Sequence, residues 1–310
     1  MTQTLPNSTA TPPSTILQFN CNGIQNSYHE IDSFLHSNSV LIACIQETKL
    51  KPTSNFNNLK NFTTIRRDRP GPTGGGGLII LIHESIKYTP LPTDPLFTND
   101  TTTEHLAITA IINNIPINIY NIYIPPATSC PANFTPHLDR LFSPPDDSII
   151  LGDFNAHSPA WYSQTEDSRA GARGDYILHA LTDSDLVLLN EDSPTRLPSN
   201  TNPSSPDLTI ATPHIATDLR WTTRTTLNSD HLPILLFLEG NLQSNPPTPP
   251  RISYINLNKA DWESFTRETE EGFARLDLPS SCSSGETQFR LILQTPHPQR
   301  PHSKPYPQPP

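Results

Sequence analysis

Glycine and cysteine are scarce, with 12 and 4 residues in a chain of 310, and each shortage removes a class of protein. A collagen repeat needs glycine at every third position and a disulfide scaffold needs closely spaced cysteine pairs, so both are excluded. The four thiols, Cys21, Cys44, Cys130 and Cys282, show no C-x-x-C or zinc spacing and read as the reduced cysteines of an intracellular protein. Basic charge is also short: 20 Lys and Arg stand against 30 Asp and Glu, a formal net charge of -10. Coating nucleic acid non-specifically requires an excess of cations to neutralise phosphates, so any contact with DNA or RNA has to be local. No apolar run approaches the length needed to cross a bilayer, and the first fifteen residues lack the basic and apolar regions of a secretory signal. The expectation is a protein of the nucleus or cytoplasm, with no membrane partner and no secretion. Heptad patterning and internal repeats of 20 to 50 residues are likewise missing.

What is plentiful is proline, 35 residues, and its placement divides the chain. Residues 1–14 read as a disordered leader and 15–240 as one body. Residues 241–257 read as a Pro-rich linker because proline continues neither a ladder nor a helix interior. A short helix is expected over 258–275, with Trp262, Phe265 and Phe273 on one side, and 276–310 reads as a disordered Pro-rich tail. Within the body, strand-length apolar runs recur at 16–19, 40–45, 78–82, 106–112, 117–124, 148–151, 187–189, 207–210 and 234–238. Two amphipathic helices interrupt them, one carrying Ile31, Phe34 and Leu35, the other Ile177, Ala180 and Leu181 after Gly174. Many strands with few helices indicate stacked sheets flanked by helices.

Several strands end in polar residues of one chemical kind. Residues 149–151 run into Gly152-Asp153-Phe154-Asn155-Ala156-His157, and period-2 geometry sets Asp153 and Asn155 on the same side. Such a pair can hold a water and an oxyanion, or a metal and a phosphate oxygen, or simply close the strand as an Asx turn. Glu47 ends the strand in Cys44-Ile45-Gln46-Glu47-Thr48, where an oxygen donor suits a hard cation such as Mg2+, or is merely solvated. Phe19-Asn20-Cys21-Asn22-Gly23 leaves a strand through two asparagines, and Ser229-Asp230-His231 sets an acid beside an imidazole before another strand. Gly74 to Gly77 resembles a phosphate loop, but Leu78-Ile79 stands where such a loop requires Lys and Ser or Thr, so a flexible turn is the reading. Arg66, Arg67 and Arg69 form the densest basic cluster and could contact a DNA backbone or lie in a solvated loop.

Taken in order, these motifs, together with Tyr123-Ile124-Pro125 and Ser205-Pro206-Asp207-Leu208-Thr209, resemble the endonuclease/exonuclease/phosphatase superfamily over residues 15–240. Asn22, Gly-Asp-Phe-Asn-Ala-His and Ser-Asp-His are similar to the nuclease domain of jockey-type non-LTR retrotransposons, and residues 254–262 to the linker that follows it. The resemblance implies a four-layered α/β/β/α sandwich with two mixed β-sheets packed face to face. It implies Mg2+, with Mn2+ as a substitute, on Glu47, Asn20, Asn22 and Asp230, where the Asn at position 22 carries one negative charge fewer than the Asp common there. Asp153 would deprotonate the attacking water and Asn155 would hold it. His231, oriented by Asp207, would donate to the phosphate, and Tyr123 would sit beside it. The implied activity is a DNA endonuclease that nicks one strand and leaves a 3'-hydroxyl to prime reverse transcription. Element RNA and a reverse transcriptase would be partners only of a full-length product, since no Tyr/Phe-x-Asp-Asp is present here. A frameshift is one reading of the Pro-rich tail after residue 293. An apurinic-site repair nuclease or phosphatase of the same fold, and a catalytically silent remnant, are the alternatives.

Overall fold

The computed structural model describes residues 13–69, 75–92, 102–130, 138–224 and 227–239, together with six residues between 263 and 274. The chain divides into two compact units, residues 1–249 and 250–310. In the second, Glu263, Thr266, Arg267, Glu270, Glu271 and Ala274 are helical and exposed. Trp262, Phe265 and Phe273, residues 1–12 of the expected leader 1–14, the expected linker 241–257 and the expected tail 276–310 lie outside the described residues.

In the first unit the apolar runs become strands because each alternates two buried faces. One sheet holds β1 (Ser14–Asn20), β2 (Val40–Gln46), β3 (Phe62–Arg67), β4 (Leu78–His83), β11 (Leu219–Thr223) and β12 (Ile234–Leu238), in the order β11-β12-β1-β2-β4-β3. The other holds β5 (Lys87–Pro90), β6 (Glu104–Ile112), β7 (Ile115–Tyr123), β8 (Ser148–Asp153), β9 (Val187–Leu188) and β10 (Asp207–Ala211), in the order β5-β6-β7-β8-β10-β9. Both sheets are mixed: β1 runs parallel to β2 and β7 parallel to β8, while the other pairs are antiparallel. Strands β3, β5 and β11 escape the apolar-run reading because they are edge or near-edge strands with half-exposed, polar residues such as Thr63, Arg66, Lys87 and Arg220.

The inner core between the sheets is aliphatic, with Ile16, Ile42, Ile80, Ile108, Ile119, Ile149 and Leu236 among its buried members. On the far face of the first sheet, Ile31, Phe34 and Leu35 of helix α1 (Tyr28–Ser37) cover Leu17, Phe19, Ala43 and Leu81. On the far face of the second, Ile177 and Leu181 of helix α2 (Ser168–Thr182) cover Ile122, Ile150 and Leu208. Asp167 caps α2 by accepting from the Arg169 and Ala170 N–H groups. A one-turn helix, α3 (Pro213–Ala216), follows β10. The layers are therefore helix, sheet, sheet, helix, as the family resemblance implies.

Alternation also decides where polar side chains go. Ile16, Gln18 and Asn20 share the inner face of β1. The same parity aligns Ile42, Cys44 and Gln46 on β2, Ile119, Asn121 and Tyr123 on β7, Leu151 and Asp153 on β8, and Ala211, Thr209 and Asp207 on β10. One end of the inter-sheet core is thus built of polar residues in layers. In the lower layer Thr209 donates to Gln18 Oε1 at 2.7 Å, Gln18 donates to the Gly152 carbonyl at 3.0 Å, and Gln46 donates to Asn121 Oδ1 at 2.7 Å. Asn121 in turn donates to the Ile45 and Ile79 carbonyls, which ties one sheet to the other. Buried amides bonded across the sheets in this way fix the register of the two sheets under the site.

Candidate active site

The upper layer gathers the strand ends. Asp153 and Asp207 are direct cross-strand partners, and Tyr123 pairs with Asp153 across the parallel ladder. The Asn20 side-chain amide donates to Asp153 Oδ2 at 2.8 Å and to Glu47 Oε1 at 3.0 Å, so a single nitrogen joins carboxylates carried by different sheets. The Asn155 backbone N–H donates to Asp153 Oδ1 at 2.9 Å, and its side chain donates to Asp153 Oδ2 at 3.1 Å and to the Ile124 carbonyl at 2.9 Å. Asn155 and Glu47 both adopt left-handed backbone, at φ 44° and 50°, as the chain turns off each strand. Holding a non-glycine residue there costs free energy, which is characteristic of positions fixed for function.

His231 stands across from Asp153. Its Nδ1 lies 2.9 and 3.1 Å from the two Asp207 oxygens, and its Nε2 lies 4.0 Å from Asp153 Oδ2. Thr195 steadies Asp207 by donating to Oδ2 at 2.6 Å. Burial works to lower the imidazole pKa, but the Asp207 carboxylate outweighs it and pushes the ring up to about 9. Burial, together with the adjacent Asp207, pushes Asp153 up to about 7. The Tyr123 phenol is pushed well above its usual range by burial and by the Glu47 and Asp153 carboxylates. A charged imidazole between two carboxylates, one of them poised near neutrality, is suited to proton transfer.

The donor set fits a hard cation. Asp153, Asp207 and His231 bring ligand atoms within 4.8 Å of one another, the imidazole serving as a ligand only in its neutral form, and the Glu47 carboxylate lies on the other side of the Asn20 amide that Asp153 shares. Acidic oxygens outnumber nitrogen ligands here, and carboxylate crowding of this kind is relieved by a divalent ion.

Not every anticipated residue faces this cluster. Asp230 is engaged by Arg196, with Nε and Nη2 both at 2.8 Å, and burial, which would raise its pKa, is outweighed by His231 and Arg196, so it stays below the usual carboxylate range. Asn22 accepts a short hydrogen bond from Lys49, whose ammonium is also 3.5 Å from Glu47 Oε2. The arginines are drawn inward. Arg66 donates to the Ser54 carbonyl and pairs with Asp68, Arg67 donates to the His105 carbonyl at 2.9 Å, and Arg69 pairs with Glu104. The glycine segment is not a free turn either. The Gly76 and Gly77 carbonyls accept from the Lys49 and Thr48 N–H groups, which splices it to the Glu47 loop.

Sequence reading overlooked Arg173, Thr195, Arg196, Lys49 and Glu104. For Arg173 a signal existed: it lies four residues before Ile177, on the apolar stripe of α2, where a charge needs buried partners. It finds them in the Pro125, Phe154 and Asn155 carbonyls at 3.0, 2.9 and 3.0 Å, which clamp the turn bearing Asn155.

Comparison with known proteins agrees with this architecture. Residues 117–235 match the family described as endonuclease-reverse transcriptase. Over 279 residues the chain is 24% identical to a probable RNA-directed DNA polymerase from transposon X-element of Drosophila melanogaster, covering 88% of this chain and 28% of that protein. It is 22% identical over 271 residues to the RNA-directed DNA polymerase from mobile element jockey of the same organism, with 86% and 28% covered. The chain therefore spans less than a third of the length of these relatives. Among solved structures, the endonuclease domain of TRAS1, a telomere-specific non-LTR retrotransposon, superposes with a TM-score of 0.57 at 20% identity, covering 74% of this chain and 99% of that domain. An AP endonuclease from Archaeoglobus fulgidus superposes at 0.51 and 18% identity, covering 72% and 98%. Motif order, layered fold and these likenesses agree: the chain has the fold of these endonucleases and is similar to the endonuclease-reverse transcriptase family over residues 117–235 and to non-LTR retrotransposon proteins.

Proposed function

We propose that the protein is a Mg2+-dependent DNA endonuclease that hydrolyses one phosphodiester and leaves a 3'-hydroxyl able to prime reverse transcription. The observation that carries the reading is the single Asn20 amide shared by Glu47 and Asp153, with Asp153 Oδ2 4.0 Å from Nε2 of an imidazole held by Asp207. That arrangement supplies an ion-binding oxygen pair and a proton acceptor side by side. Asp153 takes one proton of the attacking water as the water oxygen bonds to phosphorus, the bond to O3' breaks, and the departing O3' takes a proton from solvent to become the 3'-hydroxyl. Asn155 fixes Asp153 and holds the water. His231 donates from Nε2 to a phosphate oxygen, its Nδ1–H being committed to Asp207. Tyr123 stands beside the phosphate as a neutral donor, since its raised pKa keeps the phenol protonated. A bound Mg2+ on Glu47 would supply Lewis-acid charge on the phosphate, and Asn20 would join it only through Oδ1, which now accepts the Asn22 N–H. Asn22 and Asp230 join that ligand set only by leaving Lys49 and Arg196. The Arg66, Arg67 and Arg69 contacts to DNA narrow in the same way, because each guanidinium already has protein acceptors or a carboxylate. Reverse transcriptase and element RNA belong to the reading only as partners of a longer product.

The test is conversion of supercoiled plasmid to open circles by the full chain, in Mg2+ and in EDTA, beside Asp153→Ala. Removing one such group is expected to cost on the order of 100-fold or more. Nicks bearing 3'-hydroxyls that primer extension can use support the reading. Cutting confined to abasic plasmid would favour a repair nuclease, and release of phosphate from 3'-phosphorylated ends without nicking would favour a phosphatase.

A further inference from the structure

The glycine segment and the third arginine of the basic cluster are explained neither by a phosphate cradle nor by a surface turn. Arg69 forms a short ion pair with Glu104, a carboxylate whose side chain is only 7% exposed at the start of β6. The other Glu104 oxygen accepts the Gly77 N–H at 2.6 Å. Arg69 then reaches across to β7, where its guanidinium carbon is 5.4 Å from the centroid of the Tyr123 ring. The close approach is why glycine is needed. A Cβ on Gly76 would stand 2.3 Å from Glu104 Oε1 and 2.4 Å from Arg69 Nη2, and one on Gly77 would stand 2.5 Å from Thr48 Oγ1. These same glycines accept the Thr48 and Lys49 N–H groups, so the assembly touches both the ring of Tyr123 and the loop that carries Glu47.

We propose that Arg69, held by Glu104, is a positioning residue that sets the orientation of the Tyr123 phenol in the active site. A guanidinium has donors and no acceptor, so a phenol facing it presents oxygen lone pairs and turns its hydrogen away. The Glu47 carboxylate is the acceptor that acts on the phenol hydrogen. Stacking on the ring face restrains the ring itself, a contact worth more when partly shielded from water, as for the half-buried Arg69. Arg69 therefore presents Tyr123 as a donor aimed into the site, and Glu104 keeps the guanidinium from leaving toward solvent or DNA. What Tyr123 does to a phosphate rests on the proposed hydrolysis, whereas where Tyr123 is held does not.

Two measurements on the full chain separate these. In protein labelled with 3-fluorotyrosine, the Tyr123 fluorine resonance is assigned by its loss in Tyr123→Phe. Arg69→Lys keeps a cation beside Glu104 but loses the planar fork, and it should move or broaden that resonance while the other tyrosine signals stay in place. In plasmid nicking, Arg69→Lys should lower kcat about tenfold with KM within about twofold, and it should cost nothing further in a Tyr123→Phe background. If Arg69→Lys unfolds, the Arg69→Met/Glu104→Gln pair, which buries no unpaired charge, takes its place in both measurements. A Tyr123 resonance that does not respond overturns the proposal, as does multiplication of the two kinetic losses. A rise in KM with a shallower salt dependence would instead make Arg69 a DNA contact. Wild-type protein that nicks nothing refutes the nuclease reading alone, because the fluorine measurement needs no turnover.

Discussion

Replacing Gly174 by alanine sets two effects of opposite sign against each other in one helix. Alanine is worth about 1 kcal/mol more than glycine in a helix interior, so propensity alone makes the variant more stable. Packing argues the other way. A Cβ at Gly174 would stand 1.8 Å from the His157 carbonyl oxygen and 2.6 Å from its carbon. The obstacle is backbone, so α2 and the turn after Asn155 would have to part by about 1 Å or more in a close-packed interior. Overpacking of this kind costs about 1–3 kcal/mol. The parting also lengthens the neighbouring Arg173 bonds to three carbonyls, and leaving a buried acceptor unsatisfied costs about 1–3 kcal/mol more. The clash wins by roughly 3 kcal/mol, which for a domain of this size lowers Tm by roughly 6–12 °C. Gly171 is the control within α2, since a Cβ there would meet only Thr165 Cγ2 at 3.9 Å. Gly171→Ala should therefore raise Tm by about 2–4 °C, following propensity. Circular-dichroism melts of both variants beside wild type read the difference, and plasmid nicking should fall in Gly174→Ala only. A Gly174→Ala protein as stable as wild type would refute the close seating of α2 on this turn, and with it the anchoring role of Arg173.

Stability should also depend on pH through the buried pair. Because the folded pKa of His231 is raised from 6.5 to about 9, its stabilisation is complete below pH 6.5 and is lost as pH rises through about 9. Asp153, raised to about 7 by burial, adds a loss of stability between its ordinary value and about pH 7, so in EDTA Tm should fall across the whole range and His231→Gln should flatten the alkaline limb. An unchanged slope in that variant would show that another group carries it. Burial pushes the Cys21 thiol up to about 12 and Cys44 higher still, so neither should react with a disulfide reagent until denaturant is added, whereas the half-buried Cys130 should react before either; peptide mapping of the labelled sites decides this. Asp207→Asn should reduce nicking on the order of 100-fold by releasing His231, with KM for plasmid little changed, and a variant that loses affinity instead would place Asp207 in DNA binding.

The strand-and-helix content was legible where a run was apolar on both faces, as in β2, β4, β8 and β12, because such a segment has nowhere to go but a buried sheet. Edge strands β3 and β5 were not, since half-exposed positions accept Lys, Arg and Thr and erase the pattern. The sequence by itself determined that Asn20, Glu47, Tyr123 and Asp153 stand where central strands end, and period 2 set Asp153 and Asn155 on one side. Only the tertiary structure decided their company. It gave one amide to both Glu47 and Asp153, turned Asp230 to Arg196, and set Arg69 against Glu104 and Tyr123 instead of solvent. The reason is physical: period-2 geometry is local to each strand, whereas pairing between charges is fixed by the register of two sheets and the dielectric of the space they enclose, and residues more than a hundred positions apart share that space.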